Sequence, residues 1–167
     1  MHVTFAPRNV LQIDDARIIY RNFSGVGGKY NREGDRNFAV VIPDEQIAQQ
    51  LAEEGWNVKI RPPRDMDDSP FMYLPVKVKF NDRGPNVYLV TGDNMNKLDE
   101  ETVGMLDDVD ILSVDLDIRP YDWEVNGKTG RSAYLQSIKV VQQVDRFAAR
   151  QMGFEDRGAK DDYVPFY

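Results

Sequence analysis

Two segments in which apolar and polar residues strictly alternate most constrain the fold of this chain. In residues 72–80 the apolar side chains share one face and an aromatic and basic set shares the other: Leu74, Val76, Val78 and Phe80 against Tyr73, Pro75, Lys77 and Lys79. In residues 111–123 the apolar set is Leu112, Val114, Leu116 and Ile118. Successive side chains of a strand point to opposite faces, so both segments predict strands with one buried face.

The second alternating segment leads into a long hairpin. The pair Asn126-Gly127 is a strong signal for a tight turn, and it predicts that residues 131–144 return as the last strand. Within that strand the apolar residues stand at odd positions up to Leu135 and at even positions from Ile138, which predicts a bulge near Gln136-Ser137. Bends of this kind help a small barrel to close.

Turn residues separate the remaining predicted elements. Further strands are predicted at residues 16–23, 37–42, 57–60 and 86–91. Asp44 is placed to cap a helix that ends at Gly55 and buries Ile47, Ala48 and Leu51, and a shorter helix is predicted at residues 99–106. The start of the chain around His2 is expected to fray.

This order of elements predicts a mainly β protein. The arrangement that accounts for it is an OB-like five-stranded Greek-key barrel with inserted helices over residues 1–144, followed by a disordered C-terminal tail over residues 145–167. An open α+β sheet is the alternative.

Composition excludes several classes of function. The 167 residues include no cysteine and one histidine, which removes disulfides, thiol catalysis and thiolate metal sites. We find neither a membrane span nor a secretory signal, so a cytoplasmic protein is expected. Two acidic clusters, Asp65, Asp67 and Asp68 and Asp107, Asp108 and Asp110, could bind Mg²⁺ or Ca²⁺ in an enzyme. Neither cluster matches a known loop spacing, so we predict no enzyme, no cofactor and no metal site.

The net charge of −7 is unevenly distributed. Residues 65–130 hold six Lys and Arg against fifteen Asp and Glu, whereas residues 1–64 and residues 131–167 each have a net charge of +1. Exposed charges more than about 10 Å apart are largely screened at moderate salt. A basic binding face can therefore coexist with the acidic total.

Three groups of cations and aromatic rings suggest single-stranded nucleic-acid binding, in which cations contact phosphates and rings stack on bases. They are the first two strands with their long, flexible Gly-rich loop, the outward row after Met72, and the tip of the last hairpin. The candidates are Arg17, Tyr20, Arg21, Lys29, Tyr30, Arg32, Arg36, Tyr73, Lys77, Lys79, Tyr121, Trp123, Lys128 and Arg131. Tyr134 lies near the same tip. The alternative is that Phe23 and Phe38 are core residues, that the cations only solvate the surface, and that Trp123 packs the barrel mouth.

The tail combines carboxylates with a hydrophobic end, Asp161-Asp162-Tyr163-Val164-Pro165-Phe166-Tyr167. A short acidic peptide of this kind can insert a ring into an apolar pocket while a basic rim holds its carboxylates. It can also compete with nucleic acid for the protein's own cations. A tail that only improves solubility is the alternative.

The tail resembles the acidic Asp-Asp-Asp-Ile-Pro-Phe tip of bacterial single-stranded DNA-binding proteins, although here Tyr167 follows Phe166. Segments such as Arg21-Asn22-Phe23-Ser24-Gly25 and Arg119-Pro120-Tyr121-Asp122-Trp123 are similar to phage-encoded proteins of that class. The resemblance implies an OB fold that binds single-stranded DNA with little sequence preference. It also implies that the tail recruits replication, recombination or repair proteins, and a homo-oligomer is possible. A phage protein-interaction or assembly module without nucleic-acid binding is the alternative function.

Overall fold

The computed structural model describes residues 1–63, 65 and 70–144. Within these ranges the strands are β1 (His2–Phe5), β2 (Leu11–Asp14), β3 (Ile18–Asn22), β4 (Arg36–Ile42), β5 (Lys59–Arg61), β6 (Phe71–Val78), β7 (Asn86–Thr91), β8 (Asn94–Leu98), β9 (Ile111–Val125) and β10 (Lys128–Gln142). One α-helix, α1 (Glu45–Glu53), and two short 3₁₀ helices, Pro7–Asn9 and Val103–Asp107, complete this part of the chain. The predicted tail, residues 145–167, lies outside the described residues.

A bend between β2 and β3 closes the sheet into a barrel. β2 pairs with β9, whereas β3, the next strand, pairs with β4. Backbone hydrogen bonds hold both sides of the bend, from Ala16 N–H to the Val114 carbonyl and from Val41 N–H to the Arg17 carbonyl. The circuit then runs from β4 to β6, β10 and back to β9, with β6 and β10 parallel. This is the predicted five-stranded OB-like barrel, and the mainly β fold class is confirmed.

Three additions extend the barrel sheet. β1 pairs with β2, β5 pairs with the edge of β6, and the β7–β8 hairpin lies beside β10. β1, β2 and β8 were not predicted, and the expectation that the start around His2 frays is wrong because His2 pairs with Asp14. No helix within the described ranges is long and apolar enough to cross a membrane.

The barrel core consists of the inward side chains that alternation predicted. Leu74, Val76, Val114 and Ile118 are completely buried. Phe23 and Phe38 stack inside the barrel with their ring centroids 5.1 Å apart, which confirms the alternative that these two rings are core residues and not part of a binding surface. Leu112 was predicted to face inward, but 64% of its surface is exposed because it lies at the end of β9, beyond the closed part of the barrel.

The predicted bulge is present. Leu135 pairs with Ile118 and Ser137 pairs with Asp117, so Gln136 is the extra residue of β10. The bulge restores the inward direction of the apolar side chains that follow it, and Ile138 and Val140 are buried.

The two predicted helices differ in outcome. The Asp44 carboxylate accepts a hydrogen bond from the backbone N–H of Gln46 and caps α1, as predicted. In place of the second predicted helix there is only a 3₁₀ helix at Val103–Asp107, preceded by a turn in which the Asp99 carboxylate accepts hydrogen bonds from Thr102 and from Glu101 N–H. The hydrogen bonds from Thr102 lower the pKa of the Asp99 carboxyl below its ordinary value.

Candidate nucleic-acid interface

The outward side chains of β5, β6, β10 and β9 form one continuous surface, which we call the outer face. Residues that pair directly across a sheet share a face. Register therefore places Arg61 beside Phe71, Lys59 beside Tyr73, Tyr134 beside Lys77 and Arg119 beside Tyr134. In an OB barrel the second and third strands, which are β4 and β6 here, are the usual oligonucleotide-binding surface.

One aromatic group lies at the β5 side of the outer face, and we call it the Tyr73 cluster: Tyr20, Arg61, Phe71 and Tyr73. The ring centroids of Tyr20 and Tyr73 are 5.5 Å apart with the rings edge to face, and those of Phe71 and Tyr73 are 5.9 Å apart. Arg61 donates a hydrogen bond to the Tyr20 hydroxyl over 3.0 Å. Its guanidinium carbon also lies 4.6 Å from the Phe71 ring centroid. These contacts fix the orientations of the rings at the surface.

A second group, the Tyr134 cluster, lies at the β9 side and consists of Lys77, Arg119, Tyr121 and Tyr134. The Lys77 ammonium lies 5.8 Å from the Tyr134 ring centroid, and the Arg119 guanidinium carbon lies 5.2 Å from it. The Tyr121 ring meets Tyr134 edge to face at 5.9 Å. Tyr73 and Lys77 are four residues apart on β6, roughly 13 Å along the strand. The two clusters therefore lie within the span of a short oligonucleotide.

The hairpin tip extends the outer face. Trp123 pairs with Gly130, and Lys128 lies two residues from Gly130 on the same side of β10. Trp123 is 38% exposed and rests on Gly130, where an added Cβ would lie only 2.6 Å from the indole Cε2. The tryptophan that is sealed by packing is Trp56 instead, beneath Arg131. One side of the Trp123 indole is thus packed and the rest meets solvent.

Internal hydrogen bonds link the two sides of the loop between β3 and β4, residues 23–35, which the sequence predicts to be flexible. The Asn31 amide donates to the carbonyls of Val26, Arg32 and Asp35, and its oxygen accepts from Asn37. Asn37 pairs with Lys77, so the loop is joined to the outer face.

Two of the predicted residues project from the tip of this loop. Tyr30 is 91% exposed, and the Lys29 ammonium lies 5.4 Å from its ring centroid. A tyrosine this exposed contributes little to the core, so Tyr30 is free to meet other molecules.

Several arginines that were predicted to contact phosphates instead bond to other groups of the protein. Arg21 donates hydrogen bonds to the carbonyls of Leu106 and Val109 over 2.8 and 2.7 Å. Arg36, at the start of β4, donates hydrogen bonds to the side chain and the backbone carbonyl of Glu100. Exposed Arg32 forms an ion pair with Asp35 over 3.4 Å. The Arg21 and Arg36 guanidinium groups therefore stabilise the fold, whereas the exposed Arg32–Asp35 pair contributes little to stability.

Arg131 is engaged in the same way. Its side chain bonds both carboxylate oxygens of Asp122, over 2.7 and 3.3 Å, and this hydrogen bonding lowers the pKa of the Asp122 carboxyl. Arg17 and Lys79 are exposed, the first at the bend before β3 and the second just beyond the end of β6. Neither belongs to the two aromatic clusters.

Sequence reasoning missed part of the outer face. Arg61, Phe71 and Arg119 were not among the candidates, and Tyr134 was noted only as a neighbour of the hairpin turn. Their positions in the sequence indicate the same face: Phe71 is two residues from Tyr73, and Arg119 is two residues from Tyr121. Asp107, considered as a metal ligand, instead accepts hydrogen bonds from Phe23 N–H and from the Ser24 backbone and hydroxyl.

Replacing Gly130 with alanine should displace the Trp123 indole, because the new Cβ would occupy its space. We expect a red shift of tryptophan emission and stronger quenching by acrylamide, against the constant background of buried Trp56. Gly28→Ala is the matched control, since nothing lies within 4 Å of a Cβ added there. An unchanged spectrum in Gly130→Ala would contradict the described packing.

Known proteins similar to this chain indicate its family and its fold. The family model described as "Putative phage ssDNA-binding domain" matches residues 2–157. The solved structure of the single-stranded DNA-binding protein from bacteriophage Enc34 is similar with a TM-score of 0.54 at 12% identity, covering 93% of this chain and 93% of that chain. The same protein with a C-terminal truncation gives 0.52 at 14% identity, covering 86% and 91%. Its complex with ssDNA gives 0.50 at 15% identity, covering 87% and 93%.

At these identities the structural likeness shows a shared fold. A comparison with curated proteins gave no match. The family match covers most of the chain and confirms the resemblance to phage-encoded single-stranded DNA-binding proteins. The chain belongs to the phage ssDNA-binding domain family.

Proposed function

We propose that this protein binds single-stranded DNA on the outer face with little sequence preference. The observation that carries the proposal is the grouping of outward rings and cations on adjacent strands, in the Tyr73 and Tyr134 clusters, where Tyr20 and Tyr121 are exposed and Phe71, Tyr73 and Tyr134 are half-buried. Family membership and the ssDNA complex of the Enc34 protein support it. The family is one of binding domains and not of enzymes, so we do not retain the enzyme alternative.

Stacking supplies the affinity in this proposal. Each base that stacks on an aromatic side chain contributes about 1 to 3 kcal/mol, and every base has a flat face, so the interaction tolerates any sequence. Tyr73, Tyr121, Tyr134 and the exposed part of Trp123 are the proposed stacking residues, with Tyr20 supporting Tyr73 and with Tyr30 closing over the strand from its loop.

Cations beside the rings contact the phosphates. Lys77 and Arg119 flank Tyr134, Arg61 belongs to the Tyr73 cluster with Lys59 beside it, and Lys128 lies at the hairpin tip. Exposed Arg17, Lys29, Arg32 and Lys79 remain proposed phosphate contacts around this surface. We assign Arg21, Arg36 and Arg131 to the stability of the fold, because each is bonded to the protein itself.

Single strands are favoured over duplex for a physical reason. A duplex hides the faces of its bases in the stack, so it offers these rings nothing and presents mainly its phosphates. The net charge of −7 opposes binding that rests on phosphates alone. Only unpaired bases can stack on the rings, and this stacking offsets the repulsion between the acidic protein and the phosphates.

We propose further that the tail recruits replication, recombination or repair proteins in the cytoplasm of the bacterial host. The family match ends at residue 157, before the segment Asp161-Asp162-Tyr163-Val164-Pro165-Phe166-Tyr167. The support is the resemblance of that segment to the tip of bacterial single-stranded DNA-binding proteins, together with its carboxylates and terminal rings.

Tyr73→Ala should weaken binding to oligo-dT by about 5- to 150-fold, the loss of one stacked base. Titration of labelled oligo-dT and of a matched duplex, at two salt concentrations, measures this effect. Tyr73→Phe keeps the ring and should retain the affinity. Tyr88→Ala, on β7 between Lys97 and Lys139, is the matched control and should bind as the unchanged protein does.

Equal, salt-independent affinity of the unchanged protein for oligo-dT and duplex would reject the proposed function. Loss of affinity in Tyr88→Ala with none in Tyr73→Ala would reject the proposed surface.

Deleting residues 155–167 should leave DNA binding unchanged or make it stronger, because the acidic segment competes with DNA for cations. The same deletion should abolish capture of host replication proteins in a pull-down that the full chain supports. Replacing Phe166 and Tyr167 with alanine in the full chain tests the rings separately. Loss of DNA binding on deletion would show that this segment belongs to the DNA site instead.

A further inference from the structure

The barrel sheet splits at the bulge of β10. Ala133 and Tyr134 pair with β6, whereas Ser137 and the residues after it pair with β7. On that edge, Leu135 and Gln136 therefore pair with neither strand. On the other side β2 begins opposite Ile118, so Arg119 and Pro120 lie beyond its end. A groove of about 760 Å³ lies at this point, where the β9–β10 hairpin has no paired strand on either side.

Arginines from three separate elements line this groove. Arg8 comes from the 3₁₀ helix between β1 and β2, Arg83 from the turn between β6 and β7, and Arg119 from β9. Asp82 is the carboxylate among the lining residues. Within the described part of the chain, none of the three guanidinium groups forms an ion pair. The groove therefore offers three unpaired cations against one carboxylate.

The walls of the groove are ordered turns. Asn81 N–H donates to the Gly84 carbonyl over 2.8 Å, and the Asn81 side chain accepts from Arg83 N–H over 2.8 Å. Gly84 has a φ of +124°, and an added Cβ there would lie 3.2 Å from the Asn86 nitrogen. On the opposite wall, Ala6 N–H donates to the Val10 carbonyl over 2.9 Å, which closes the turn that carries Arg8. Two of the arginines thus project from fixed backbone, which reduces the entropy lost on binding an anion.

The groove is continuous with the outer face through one residue. Arg119 lines the groove and also lies over the Tyr134 ring, with its guanidinium carbon 5.2 Å from the ring centroid. A strand whose base stacks on Tyr134 would have its next phosphates at the mouth of the groove. Guanidinium groups suit these phosphates because their planar donors match two phosphate oxygens at once.

We infer that the groove binds the phosphates of the single strand as it leaves the Tyr134 cluster, and so lengthens the DNA site beyond the outer face. The inference rests on the proposed function. A groove of this volume is larger than one phosphate requires, and its continuity with the aromatic surface favours a nucleic-acid strand over a free anion. Arg8 and Arg83 are then binding residues that contact phosphates and leave base stacking to the clusters.

The test compares two oligonucleotide lengths with the double variant Arg8→Ala/Arg83→Ala in the full chain. An oligo-dT of about 5 nucleotides occupies the clusters alone, and one of about 16 nucleotides can also reach the groove. We expect unchanged affinity for the short oligonucleotide and a several-fold loss for the long one. The slope of log K against log salt for the long oligonucleotide should fall by about 1.4, since each phosphate contact to a single strand contributes about 0.7.

Lys97→Ala/Lys139→Ala is the control, because it removes the same charge from exposed lysines of β8 and β10 and should leave both affinities and the slope unchanged. Equal loss for both lengths, or an effect matched by the control, would overturn the inference and indicate a general charge effect. No loss for either length would overturn it as well. If the variant differs from the unchanged protein only while residues 155–167 are present, the groove holds the chain's own acidic segment and not DNA.

If the proposed function itself is wrong, the result is different: the unchanged protein would bind neither oligonucleotide more tightly than duplex.

Discussion

The pairing of β6 on both of its edges links the hydrophobic core to the candidate binding surface. β4 lies on one edge and β10 on the other, and both hold β6 in a single register. Leu74 and Val76 are thereby completely buried, while Tyr73 and Lys77 point outward. A slip of one residue would exchange the two faces and expose side chains whose burial contributes about 1.5 to 3 kcal/mol each. The core therefore fixes the positions of the rings.

The acidic charge of the chain is arranged so that it borders the outer face without covering it. On β9 the outward side chains change from Asp115 and Asp117 to Arg119, Tyr121 and Trp123. Asp115 accepts a hydrogen bond from Asp15 N–H and lies 3.8 Å from the Lys139 ammonium. Carboxylates repel phosphates, so this end of β9 would keep a strand that binds as we propose on the aromatic side.

The same arrangement explains how an acidic protein can bind a polyanion. Of the nine arginines in the described residues, four are bonded to the protein's own carbonyls or carboxylates: Arg21, Arg32, Arg36 and Arg131. In the function we propose, stacking would carry a larger share of the affinity than it does in a basic protein, and fewer counterions would be released on binding. We accordingly expect the affinity for DNA to fall with salt concentration, but less steeply than it does for a basic protein.

Much of the fold could be predicted because alternation and turn chemistry are local. β6, β9, the bulge at Gln136 and the cap at Asp44 follow from the order of residues alone. β1, β2 and β8 were missed because they are short strands of four or five residues; β8 buries only Leu98, so its pattern resembles a polar loop.

The site was predictable to a similar extent and for the same reason. The outward parity of Tyr73, Lys77 and Tyr121 could be read from the sequence. The roles of the arginines could not, because Arg21 bonds carbonyls 85 and 88 residues away and only the closed barrel brings them together. The groove at Arg8 and Arg83 depends on three distant segments in the same way.

Ultraviolet cross-linking of the full chain to oligo-dT, with the attachment sites identified by mass spectrometry, shows where the DNA lies on the barrel. We expect cross-links at Tyr73, Tyr121, Trp123 and Tyr134, on the outer face. Cross-links confined to Tyr88 or to other residues away from β6 and the β9–β10 hairpin would contradict this expectation.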